Sequence, residues 1–137
     1  MNTRALWKAV IVAALPILAG SGLAWADCEA VAGARRVEGR DMALAFKTRP
    51  AKIKVGELFA VDVAVCPKRG TVKGIGVDAS MPEHKHGMNY KPAVKKNATE
   101  GFTATGLMFH MPGRWQFAFE VDSSAGRERL LDTIAVD

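Results

Sequence analysis

Tyrosine occurs once in the 137 residues, cysteine twice and histidine three times. Neither cysteine belongs to a Cys-x-x-Cys pair, which argues against a thiolate zinc ribbon and a thioredoxin-like redox motif. There is no glycine-rich phosphate loop and no dinucleotide fingerprint, so nucleotide chemistry has no seat. Ser80, Ser123 and Ser124 lie in no histidine–carboxylate setting that would activate a hydroxyl. Beyond residue 41 no amphipathic helical pattern of useful length occurs. Beyond residue 18 no apolar run approaches the ~20 residues of a spanning helix. Charge of one sign is also modest: 19 basic residues face 14 acidic ones, a formal net charge of +5. A nucleic-acid binder calls for a denser basic stripe with interleaved aromatics.

What remains is an ordinary globular composition, 49% hydrophobic and 24% charged, and a length that suits one domain. The first 26 residues stand apart. Arg4 and Lys8 precede the apolar, uncharged residues 9–18, and Ala24-Trp25-Ala26 supplies small residues at both positions a signal peptidase reads. This is the pattern of a cleaved secretory signal peptide and implies a periplasmic protein with no membrane span after cleavage. Arg4 and Lys8 are the leader's only charged side chains, so the remaining chain carries +3. In an exported chain an even cysteine count predicts a disulfide, here Cys28 with Cys66.

Residues 27–41 read as a leader segment and 42–137 as the folded domain. Within it, 58–66 alternates with Phe59, Val61, Val63 and Val65 on one face, the period of a half-buried strand. Residues 72–81 place Ile75, Val77, Ala79 and Met81 on one face, and 102–110 place Phe102, Ala104, Gly106 and Met108 together. The clearest strand, 115–121, alternates Trp115, Phe117, Phe119 and Val121 with polar or small residues. Shorter strands fit 42–47, 91–96 and 130–136. About seven short strands with frequent turn signals predict an all-β, immunoglobulin-like antiparallel β-sandwich.

The chemistry is concentrated. All three histidines and four of the five methionines beyond the leader fall within twelve positions, 81–88 and 108–111. Imidazole and thioether together are copper ligands, whereas zinc usually recruits thiolate or carboxylate. If 91–96 is a strand, antiparallel parity brings both segments to one pole of the sandwich. The candidate metal ligands are His84, His86, Met88 and His110, with Met111 and Met108 secondary. Glu83 reads as a loop carboxylate and no catalytic set is evident, so a non-enzymatic role is expected.

The runs Val55-Gly56-Glu57-Leu58-Phe59, Met81-Pro82-x-His84-x-His86-Gly87-Met88 and Gly106-Leu107-Met108-Phe109-His110-Met111-Pro112-Gly113-Arg114-Trp115 together resemble the YtkA-like domain family. These are small exported or membrane-tethered bacterial proteins related to the FixH group, and the resemblance covers roughly residues 50–136. It implies an immunoglobulin-like sandwich and, through FixH-type relatives, copper handling or assembly of copper-containing oxidases. The chain differs from FixH proper in having no retained membrane helix. The expectation is a copper carrier or chaperone whose partner is a copper acceptor or a membrane-complex assembly protein. The alternative is a non-metal interaction module that presents the same loop pole, with Lys85, Tyr90, Lys91 and Trp115 nearby, to a protein partner.

Overall fold

The computed structural model describes residues 33–98 and 101–137. The signal-peptide reading, Cys28 and the start of the 27–41 segment lie outside the described residues. Cys66 carries no free thiol.

The chain forms an antiparallel β-sandwich. One sheet holds β1 (Arg35–Glu38), β2 (Met42–Arg49), β3 (Leu58–Pro67), β7 (Phe102–Met108) and β6 (Ala93–Lys96), in that spatial order. The second sheet has the order β5 (His86–Gly87), β4 (Val72–Met81), β8 (Gly113–Ser123) and β9 (Gly126–Val136). A single 3-10 turn, η1 (Pro82–His84), follows β4. No helix among the described residues is long and apolar enough to cross a membrane.

The sandwich class is the one expected, with nine described strands rather than about seven. The two additions are β1, inside the segment read as a leader, and β5, inside a polar loop. Neither alternates hydrophobically. β1 owes its existence to pairing with β2, and β5 to pairing with β4.

The inward alternation of β8 holds throughout: Trp115, Phe117, Phe119 and Val121 are all buried. They meet Phe46, Phe59 and Phe109 from the first sheet. Phe109 stacks on Trp115 with ring centres 4.3 Å apart and planes 9° apart. Phe59 meets Phe109 edge-on at 4.9 Å, and Phe46 lies 4.8 Å from Phe119. Stacked and edge-on pairs of this kind contribute about 0.5–1.5 kcal/mol each beyond their area burial.

The periodic reading of 102–110 needs correction. Phe102 and Ala104 point inward as expected, but Gly106 and Met108 do not; Leu107 and Phe109 take the core positions. The cause is a bulge. Phe59 pairs with Leu107, yet Val61 pairs with Ala104, so β7 holds one extra residue against β3. Gly106 lies in this extra segment at φ +82°, where a side chain is disfavoured. The phase of the strand reverses there. Met108 is thereby turned to the outer side, and the aromatic ring of Phe109 enters the core.

On the outer face of this sheet Arg49 donates two hydrogen bonds to Asp62, at 2.6 and 3.0 Å, and the Thr103 hydroxyl donates a third at 2.7 Å. The Arg49 bonds hold the Asp62 carboxyl below its usual range, against an opposing effect of burial and with help from Thr103. A carboxyl depressed in the folded state stabilises above its unfolded pKa, and that contribution is lost as pH falls through the folded value.

Gly106→Ala should cost about 1–2 kcal/mol, although no atom lies within 4 Å of the added methyl. Gly76→Ala, on an exposed strand position with ordinary contacts, should be neutral or stabilise by up to about 1 kcal/mol. Urea midpoints of the two variants check this. Asp62→Asn should be less stable than the parent at neutral pH, with the gap closing as pH drops below about 4. A pH series of thermal melts reads that convergence.

Candidate functional site

The pole where β4 ends and β8 begins carries every histidine of the chain. β4 pairs with β8 so that Ser80 faces Gln116, which sets the end of β4 beside Trp115. The chain then makes η1. Lys85 takes a left-handed conformation (φ 56°, ψ 34°), and its N–H donates to the Pro82 carbonyl at 3.3 Å. This reversal sends β5 back along β4, with His86 opposite Met81. Cross-strand partners share a face. Met81 is core, 1% exposed, so His86 leans over the end of the core and is half-buried.

His110 arrives from the other sheet, two residues past the end of β7. The result is a row of three imidazoles. His84 and His86 have ring centres 5.8 Å apart, and His86 and His110 5.1 Å apart. His84 and His110 are exposed. Beneath them lies Trp115, fully buried, its ring centre 5.9 Å from His86 and 5.4 Å from His110. The indole Nε1–H donates to the Met111 carbonyl at 3.1 Å. This bond ties the connection between β7 and β8 to the core aromatic stack.

Met88 and Met111 are half-buried and pack against the core at the same pole. The Met88 N–H donates to the Ala79 carbonyl at 3.2 Å, which fixes its backbone along β4. Met108 is half-buried on the outer face, opposite the exposed Leu58. Gly113 opens β8 with φ +130°; a methyl there would meet the Met81 Cε at 2.6 Å. Glu83 faces Arg114 at 3.8 Å, a clasp between two highly exposed side chains.

The donor chemistry suits a soft metal, and the spacing is compatible with one. Two imidazoles bound to one ion at about 2 Å from each nitrogen have ring centres roughly 5–6 Å apart. His86 Nδ1 lies 3.3 Å from the Gly87 carbonyl oxygen, which can only accept. In the tautomer that donates this bond, Nδ1 carries the proton and Nε2 is the nitrogen left for a metal. As placed, no group of three or more His, Cys, Asp or Glu among the described residues is disposed to hold a metal ion. Three-histidine ligation would need rotation of the exposed rings.

Trp115 is buried, as its place in the alternating 115–121 strand predicts, and it is enclosed by Phe109 and the histidines. Three features were not readable in advance: the left-handed Lys85, the Trp115 platform, and the Glu83–Arg114 clasp. Only the tight His-Lys-His spacing hinted at the first. Comparison with family models, curated proteins and solved structures gives no match. The YtkA-like resemblance therefore rests on the quoted motifs alone.

Lys85 can be tested through its backbone. Lys85→Gly should leave stability unchanged or slightly raised, while Lys85→Val should lose about 1–2 kcal/mol, since a β-branched residue fits the left-handed region poorly. Equal melting temperatures for the two variants would contradict the assigned turn.

Proposed function

We propose that this protein is an exported copper carrier, with His86 and His110 as the central pair of ligands, His84 as an exchangeable third, and Met88, Met111 or Met108 as the thioether donor. The observation that carries this reading is the convergence of all three histidines, from two different sheets, at successive ring separations of 5.8 and 5.1 Å. Thioether favours Cu(I) and imidazole accepts either oxidation state, so one site of this composition can hold the metal across a change of redox conditions.

The carrier role follows from exposure. His84 and His110 face solvent, so an acceptor can replace ligands one at a time without unfolding the sandwich. The half-buried His86 and the rigid Trp115 floor keep part of the site fixed during exchange. The acceptor is a copper-binding protein or an assembly factor of a membrane complex, in line with the YtkA-like resemblance. Cys66 has no free thiol, and Cys28 is the only other cysteine. A bridge between the two fits an oxidising compartment and leaves copper to imidazole and thioether.

Competition against chromophoric copper ligands, first under reducing and then under oxidising conditions, tests the reading. The parent protein should bind one equivalent. Replacement of His86 or His110 by alanine should weaken binding by at least about tenfold, and His84→Ala by less. A triple histidine variant that binds copper as well as the parent would overturn it.

A further inference from the structure

The basic side chains of this protein divide into two populations. All eight described arginines sit in ion pairs with carboxylates. Arg49 and Arg127 use both arms of the guanidinium, on Asp62 and Asp122 respectively. Among the lysines only Lys54 and Lys68 have such partners among the described residues. Of the seven others, four lie in one stretch: Lys85, Lys91, Lys95 and Lys96. Residues 84–99 contain no carboxylate at all.

This stretch runs along one side of the molecule. β6 is the outermost strand of its sheet, with β7 as its only sheet neighbour. Lys91, Lys95 and Lys96 are exposed, and Tyr90 beside them is 51% exposed. The pairing of Ala93 with Thr105 and Lys96 with Phe102 directs the Lys91 end of β6 toward the histidine pole.

We propose that this lysine edge adsorbs to an anionic lipid surface. Lysine presents a compact, mobile point charge with no fork to match a particular carboxylate. Where this protein meets a defined carboxylate partner, it mostly uses arginine. A run of unpaired lysines around an exposed tyrosine suits a diffuse sheet of negative headgroups instead, with the phenol at the interfacial level. Lysines also discourage edge-to-edge strand pairing. That role alone does not require Lys85 and Lys91, which lie outside β6. Adsorption by this edge would hold the histidine pole close to the membrane.

The test is co-sedimentation of metal-free protein, purified from cells expressing the full chain, with phosphatidylglycerol-containing vesicles. Because chelator is present throughout, the result is independent of the copper reading. Each lysine near such a surface is worth roughly a fivefold change in partitioning. The combined variant Lys91→Gln, Lys95→Gln, Lys96→Gln should therefore partition at least about tenfold less than the parent. The variant Lys47→Gln, Lys52→Gln, Lys73→Gln removes the same charge elsewhere and should stay near the parent. Binding should vanish as salt rises from about 0.01 M to about 1 M and the screening length shrinks from ~30 to ~3 Å. Three outcomes would overturn the proposal: no sedimentation of the parent, equal loss in both triple variants, or retention on polyglutamate beads without binding to vesicles. The last would assign the edge to an acidic protein.

Discussion

Trp115 is the contact on which this structure turns. Its indole stacks on Phe109 from the opposite sheet, its N–H holds the Met111 carbonyl, and its edge supports the rings of His86 and His110. One side chain thus joins the sandwich core, the β7–β8 connection and the candidate ligands. The histidines are loop or terminal residues, which elsewhere would have wide conformational freedom. Here His86 and His110 rest on a buried aromatic ring, and His84 adjoins His86. An exchangeable metal site needs that combination of a fixed base and exposed outer ligands.

The second constraint is phase. In an extended strand, side chains alternate strictly, so one extra residue moves every later side chain to the other face. The bulge at Gly106 does this just before the motif. Without it, Met108 would face the core and Leu107 and Phe109 would face water. The glycine in the middle of an apolar run was the visible sign. A glycine in such a run also fits simple weakening of a strand, so the reversal itself could not be read from the residues.

Much of the fold was legible because it rests on alternation. The 115–121 segment announced its buried face, and the parity of β4, β6 and β7 brought both motif segments to one end. β1 and β5 were not legible, for a physical reason. Arg35, Arg36 and Glu38 are exposed, so β1 is made by backbone pairing and carries almost no hydrophobic signal. β5 is two residues long, created by the left-handed turn at Lys85. At the site, the residue types pointed to copper chemistry, while the support from Trp115 depends on packing between sheets that no local pattern encodes. The split between paired arginines and unpaired lysines is similar: the lysine run is visible in the sequence, but its lack of partners emerges only from the fold.

The central claim is that His86 and His110 bind copper while resting on Trp115. It is tested most directly by Trp115 fluorescence in a chain whose other tryptophans, Trp7 and Trp25, are replaced by phenylalanine. Addition of Cu(II) should quench the emission to a plateau at one equivalent, and the combined variant His86→Ala, His110→Ala should show no saturable quenching. Emission unchanged by copper, or equal saturable quenching in that variant, would contradict the account.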